Sequence, residues 1–201
     1  MYQLGELLPG CVLLQGDLFR DDRGWFRRLH SASYDSAGIP SSFRQTGASY
    51  NRRRGTLRGL HFQSAPHLEV KLVQCLRGVV YDVMVDVRAG SPTYGRYAAA
   101  ELSEENGHMM FASPGFAHGF LTLTDDCIVG YMISPDYYPE AAGGLWWNDP
   151  DLAIPWPETP VEISPRDQRL PTLKDHDPRL TALDPEPDHQ GPVRNRAPTH
   201  L

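Results

Sequence analysis

The sequence predicts an all-β fold, on three observations. Gly and Pro supply 18 residues each of 201, a density of turn formers that interrupts helices and suits short strands joined by tight loops. From Lys71 to Ser103 the text KLVQCLRGVVYDVMVDVRAGSPTYGRYAAAELS sets β-branched runs between Gly, Ser and Pro punctuation, the pattern of strand, turn and strand. Stretches with helical periodicity are few and short. With 40% apolar and 22% charged residues the chain has material for one sizeable core, and a single domain over residues 1–174 is expected.

The elements follow in chain order. Met1 to Pro9 carries Glu6 and no basic stretch ahead of an apolar one, which predicts no secretory signal. Apolar runs such as Cys11 to Leu14 and Tyr97 to Ala100 fall far short of the roughly 20 residues of a membrane helix, so no membrane partner and a cytoplasmic location are expected. Ser31 to Ala37 is expected to form one or two helical turns. Leu57 to Gln63 reads as a strand with Leu60 and Phe62 on one face and Gly59, His61 and Gln63 on the other. The same parity puts Lys71, Val73 and Cys75 on one face of the next strand, and Asp82, Met84 and Asp86 on one face of the strand after. Ser103 to Asn106 is a turn between strands. Phe111 to Thr124 and Cys127 to Ile133 are expected to form a hairpin across Asp125-Asp126. After Leu173 the chain is rich in Pro, Asp and Arg and has no Phe, Trp or Tyr, so residues 175–201 are expected to form a Pro-rich tail, poorly ordered or draped over the domain.

A formal net charge of -6 and a pI near 5.7 argue against broad nucleic-acid binding but leave room for a local basic pocket. Cys11, Cys75 and Cys127 are far apart and form no CxxC pair, which predicts reduced thiols, buried where their neighbours are apolar. The densest set of reactive side chains is Arg52 to Lys71, RRRGTLRGLHFQSAPHLEVK. By strand parity His61, Lys71 and one or two carboxylates from Asp82 and Asp86 can meet in a barrel mouth, where β-barrels hold small ligands. Arg52 to Arg54 reads either as a solvated turn or, beside Arg58, as a clamp for a diphosphate. His118 lies in SPGFAHGF, where glycine leaves room for a ligand near the backbone or for a packed corner. Tyr131, Tyr137 and Tyr138 offer phenols, or ordinary packing, and Arg166-Asp167 is a carboxylate beside an arginine.

These motifs occur together and in a recognisable order. Asp21-Asp22 precedes Arg23-Gly24-Trp25-Phe26, followed by LRGLHFQ, PH near KLVQC, RGVVYDVMVDVR, GSPTYG, PGFAHGF, DYYPE, WNDPDLAIPWP and SPRDQRLP. Over residues 8–173 the chain resembles the dTDP-4-dehydrorhamnose 3,5-epimerase family. The resemblance implies a cupin-like jelly-roll barrel, a homodimer, a nucleotide-sugar substrate, and epimerisation at C3 and C5 of dTDP-4-dehydro-6-deoxy-D-glucose to dTDP-4-dehydro-L-rhamnose without metal or organic cofactor. It implies His61 as general base, oriented by Asp167, Tyr131 as acid on the opposite ring face, and Lys71 near the keto oxygen. Arg23, Phe26, Gln45, Arg58, His118, Tyr137 and Arg166 match substrate-contacting positions.

The chain departs from that pattern in several places. Arg28 stands where many members have Glu, Gln45-Thr46-Gly47-Ala48 replaces a Q-[DV]-N element, Met132 follows the acid tyrosine in place of lysine, and Ala142 stands near the place of a glutamate, with Glu140 close by. The alternatives are a mono-epimerase acting at C3 or C5 of a dTDP- or other NDP-4-keto-6-deoxy sugar, a metal-dependent cupin oxygenase using His61, His67 and His118, and a sugar-nucleotide binding domain without turnover.

Overall fold

The alternating runs become strands in the computed structural model, which describes residues 2–31, 34, 38–40 and 42–183. In chain order they are β1 (Tyr2–Leu8), β2 (Cys11–Gln15), β3 (Leu18–Asp21), β4 (Gly24–Arg27), β5 (Gln45–Asn51), β6 (Thr56–Gln63), β7 (Val70–Arg77), β8 (Val79–Asp86), β9 (Tyr97–Ser103), β10 (His108–Ala112), β11 (Phe116–Thr122), β12 (Cys127–Ser134), β13 (Ala142–Gly144) and β14 (Glu162–Ile163). Sheet I has the order β1-β2-β10-β7-β12-β5 and sheet II the order β13-β6-β11-β8-β9, with β14 parallel to β6, while β3 and β4 pair apart from both. The helical content of the described residues is short 3₁₀ turns, such as Pro139–Ala141 and Asp167–Arg169. No helix among them is long and apolar enough to cross a membrane.

The two sheets face each other in a cupin-like jelly roll, and strand parity decides what lies between them. Val73 and Cys75 of β7, Met110 of β10 and Val129 of β12 meet Val80 and Met84 of β8, Leu102 of β9 and Phe116 and Phe120 of β11. The intervening residues point outward, yet both outer faces are also covered. Leu72, Met109, Phe111 and Met132 pack under Tyr34, Ile39 and Phe43, and Leu60, Phe62, Val83 and Val85 pack under Leu145, Leu152 and Trp156. Strands buried on both faces read as continuous apolar runs, which accounts for the texture of residues 71–87.

Two expectations about connections change. β11 and β12 do not form the hairpin expected across Asp125-Asp126: β11 pairs with β6 and β8, and β12 with β5 and β7. Both strands send large residues into the space between the sheets, so the turn carries the chain from one sheet to the other. β7 and β8 are likewise split between sheets at Gly78, whose φ is +80° and where a Cβ would come within 2.5 Å of Thr124 Oγ1 and 2.6 Å of Cys127 Sγ. The two corners thus nest, with Val79 N–H donating to Thr124 Oγ1 at 3.1 Å, and only glycine fits there.

Other motifs are accounted for by local order. The GSPTYG turn folds over Asp86, whose buried carboxylate accepts from Arg88, Ser91 and Thr93. Burial alone would raise its pKa, but these donors hold it below the ordinary carboxylate value. Ser103 to Asn106 is a turn as expected. The helix expected over Ser31 to Ala37 falls largely outside the described residues. Beyond Asp175 the chain stays on the domain as far as residue 183: Ala65 N–H donates to Leu180 O at 2.7 Å, Thr181 is fully buried and donates to Val87 O, and His176 meets the Phe62 ring edge-on at 5.2 Å. Residues 184–201 of the expected tail lie outside the described residues.

The three cysteines are free, with no exposed surface, and burial pushes the Cys11 and Cys75 thiols up to about 12. A disulfide reagent at pH 8 is therefore expected to label none of the three in the native protein and all three after unfolding in guanidinium, since the thiolate is the reactive form. Rapid labelling of a native thiol would contradict this packing.

Candidate active site

At one end of the inter-sheet space the lining turns from apolar to charged and encloses a cavity of about 640 Å³. His61 and Arg58 of β6 both line it although they are three residues apart, because β6 carries one extra residue against β11 between the pairs His61–His118 and Arg58–Phe120, while Leu60 and Phe62 pack in the outer layer. Gly59 supports this placement. Its φ is +116°, and a Cβ there would lie 2.5 Å from Gly119 Cα and 2.7 Å from His118 O, so β6 and β11 approach this closely only with glycine at that position.

His61 Nε2 lies 2.7 Å from Asp167 Oδ1. The buried Asp167 enters from the 3₁₀ turn after β14, and its second oxygen accepts from Gly59 N–H at 3.2 Å. Burial pushes the Asp167 carboxyl up, but hydrogen bonds from His61, the Gly59 amide and Ser164 outweigh it and hold the group below the ordinary carboxylate range. An ionised acceptor at Nε2 places the imidazole proton there, leaving the Nδ1 lone pair as the basic site.

The facing sheet supplies Lys71 and Tyr131, and β11, next to β6, supplies His118. Lys71 of β7 is 6% exposed; its ammonium donates to His61 O at 3.0 Å and pairs with Glu69 Oε2 at 2.8 Å. Tyr131 of β12 packs against the core with its hydroxyl 2.9 Å from Ser49 Oγ of β5. Burial lifts its pKa well above the ordinary tyrosine value, so the phenol keeps its proton through neutral pH. His118 of β11 has Nε2 2.7 Å from Asp82 Oδ2. Asp82 is fully buried, and burial raises its pKa against the pull of His118.

The cavity collects His61, Asp167, Lys71, Tyr131, Arg58 and His118, with Tyr137 and Arg166 at an exposed rim. Three positions expected at the substrate are elsewhere. Arg23 sits on the β3–β4 hairpin, 89% exposed and paired with Asp21; Phe26 is 61% exposed beside Phe19; Gln45 donates to Pro135 O at 3.1 Å and is not in the lining. Sequence reading missed Glu69, Ser49 and Asn51. Glu69 stands two residues before Lys71, the same-face spacing of a strand, which was a usable signal; Ser49 and Asn51 carry no charge and gave none. The three histidines of the oxygenase alternative do not converge: His67 stacks on Tyr138 at 3.6 Å between ring centroids, and among the described residues no group of three or more His, Cys, Asp or Glu side chains is placed to hold a metal ion.

The sequence pattern of the dTDP-4-dehydrorhamnose 3,5-epimerase family matches residues 6–175. A dTDP-4-dehydrorhamnose 3,5-epimerase of Sinorhizobium fredii is 41% identical over 175 residues, covering 86% of this chain and 90% of that protein. The crystal structure of the dTDP-6-deoxy-D-glucose-3,5-epimerase of Legionella pneumophila in complex with dTDP-4-keto-L-rhamnose superposes with a TM-score of 0.85 at 35% identity, covering 90% of this chain and 97% of that one. A 3'-monoepimerase of Streptomyces bikiniensis in complex with dTDP-quinovose gives a TM-score of 0.76 at 32% identity, covering 82% and 84%.

The Gly59 amide also yields a test of the His61–Asp167 pair. In Asp167→Asn the Gly59 N–H selects the amide oxygen, which turns the NH₂ group toward His61 Nε2 and forces the ring proton onto Nδ1. Nitrogen-15 imidazole NMR at neutral pH is expected to show Nε2–H in the parent and Nδ1–H in the variant. The same tautomer in both proteins would show that Asp167 does not set the ring.

Proposed function

The chain belongs to the dTDP-4-dehydrorhamnose 3,5-epimerase family, and from that premise we propose that it is an isomerase converting dTDP-4-dehydro-6-deoxy-D-glucose to dTDP-4-dehydro-L-rhamnose. The observation that carries the reading is one cavity with a carboxylate-held imidazole on one sheet and a protonated phenol on the facing sheet. A hydrogen on carbon beside a ketone becomes acidic because the electrons it leaves form an enolate with its charge on oxygen. His61 Nδ1 takes that proton, with Asp167 stabilising the imidazolium; the Lys71 ammonium meets the negative oxygen at C4. Tyr131 then gives its proton to the opposite face of the same carbon, the ketone re-forms, and the stereocentre is inverted. Once His61 has released its proton to solvent and Tyr131 has regained one from it, the same step at the second carbon flanking C4 completes the double epimerisation. Arg58 and Arg166 supply guanidinium groups suited to the diphosphate, and the exposed Tyr137 ring offers a face to the nucleobase.

The site is completed, in this reading, by a second copy of the chain. Arg23 and Phe26 match substrate-contacting positions yet sit on a hairpin outside the lining of their own cavity, with Phe19 56%, Trp25 40% and Phe26 61% exposed. Apolar surface of this kind beside an exposed arginine is suited to a symmetric partner, and a homodimer that exchanges hairpins would bring both residues to a cavity.

Incubation in heavy water, read by mass spectrometry, tests the chemistry. Deuterium is expected at C3 and C5 of the product. His61→Ala is expected to lose exchange and turnover by at least about 10³-fold while staying folded, whereas Tyr131→Phe keeps exchange into recovered substrate and loses about 10²-fold or more of product formation. Exchange that survives in His61→Ala would remove the imidazole from the base role, and label at one carbon alone would make the protein a mono-epimerase. The dimer is tested by mixing Arg23→Ala and His61→Ala chains through unfolding and refolding. Heterodimers carry one intact site, so a 1:1 mixture is expected to recover about a quarter of parental activity at low substrate. Activity no higher than the mean of the two parents would place Arg23 outside the partner's site.

A further inference from the structure

We infer that Arg58, Asn51 and Ser49 form a one-way hydrogen-bond chain that sets the direction of the Tyr131 hydroxyl proton, making Asn51 and Ser49 positioning residues for the return of the proton to the sugar. The inference rests on the epimerase reading above and adds residues that no motif singled out. Its starting point is a donor with no acceptor capacity: a guanidinium has five N–H groups and no lone pair to offer. Arg58 Nε donates to Asn51 Oδ1 at 2.6 Å, so the oxygen of that buried amide is fixed toward Arg58 and its NH₂ must face the other way. On that side stand three acceptors, Ser49 Oγ, Ser49 O and Cys127 O, each at 3.4 Å from Nδ2.

The two hydrogens of the NH₂ group serve these three acceptors, one going to Cys127 O and the other shared by the two oxygens of Ser49, so Ser49 Oγ keeps its own hydrogen for the Tyr131 oxygen 2.9 Å away. The phenol oxygen is then an acceptor toward Ser49, and its own hydrogen turns elsewhere. Among the described residues the Tyr131 hydroxyl has no other polar partner, and Tyr131 and Ser49 both line the cavity, so the free direction is the one in which the sugar lies. When Tyr131 gives up its proton, the enolate π pair forms the new C–H bond, the C4 carbonyl re-forms, and the phenolate keeps the Ser49 hydrogen bond. Arg58, exposed at the mouth of the cavity, polarises the chain from its far end, and such chains strengthen cooperatively.

Asn51→Asp reverses the polarity without changing the shape. A carboxylate still accepts from Arg58, but it cannot donate to Ser49; the serine hydrogen turns to the carboxylate, its oxygen becomes the acceptor, and the phenol proton points at Ser49 instead of the sugar. His61 then removes the substrate proton and returns it to the face it came from. The measurement is deuterium in recovered substrate relative to epimerised product, from dTDP-4-dehydro-6-deoxy-D-glucose in heavy water with the full-length protein. In Asn51→Asp and Ser49→Ala this ratio is expected to rise at least about tenfold while exchange itself stays within about threefold of the parent; Ser49→Thr, which keeps the hydroxyl, is expected to restore the ratio. A purely structural role lowers exchange and product together and leaves the ratio unchanged, which would overturn the inference. Should Asn51→Asp fail to fold, Ser49→Ala, which removes a single oxygen at the cavity wall, decides the matter. A parent protein with neither exchange nor inversion overturns the epimerase reading and this inference with it. A parent with both activities and variants with an unaltered ratio overturns the chain alone.

Discussion

The site depends on the contact of β6 with β11 at Gly59. A side chain there would meet the backbone of Gly119 and His118 at under 3 Å, so the sequence L-R-G-L-H is a statement about spacing before it is one about chemistry. The close approach pairs His61 with His118 across the two strands and exposes the Gly59 N–H to Asp167. One glycine thereby sets the distance between strands, the second hydrogen bond of the orienting carboxylate and, through that carboxylate, the tautomer of the imidazole two residues further on.

The buried charges obey a common rule. Taking an ion out of water is costly unless a partner and further hydrogen bonds replace the solvent. At the cavity the buried groups have such partners: Asp167 with His61, Asp82 with His118, Lys71 with Glu69. Arg58 and Arg166 stand exposed at the mouth of the cavity. This arrangement reconciles a chain of net charge -6 with an anionic substrate. In the proposed reaction, attraction to the diphosphate would be local to the rim, and a new negative charge on oxygen would find the Lys71 ammonium already in place.

Much of this was legible in the sequence because a strand has period 2 and only two faces to choose from. Parity alone put His61, Lys71 and Asp82 inside and Leu60, Phe62 and Leu72 outside. The connections were less legible. Asp125-Asp126 is a turn by composition, but composition does not say whether the turn folds a strand back beside its neighbour or carries it to the opposite sheet; that depends on where Phe120 and Val129 find their partners. The neutral members of the site were invisible for another reason. Ser49 and Asn51 matter through the direction of their hydrogen bonds, which is fixed by Arg58 from a different strand and sheet. Arg23, Phe26 and Gln45 came from family resemblance alone, and the fold of one chain leaves them outside its cavity.

The two-sheet architecture and the inversion of a stereocentre fit each other for a geometric reason. Inversion needs a proton acceptor and a proton donor on opposite faces of one carbon, and a single sheet presents its side chains to one face only. Here His61 and Asp167 belong to sheet II and its flanking turn, while Tyr131, Ser49 and Lys71 belong to sheet I. In the proposed reaction a flat sugar ring lying between the sheets would be met by the imidazole from one wall and the phenol from the other. Lys71 crosses from sheet I to the carbonyl of His61 in sheet II, and so ties the separation of the two walls to the backbone that carries the base. The same interior at its other end is filled by Cys75, Val80, Leu102 and Cys127. The apolar packing that holds the sheets apart there sets the width of the gap in which the chemistry takes place.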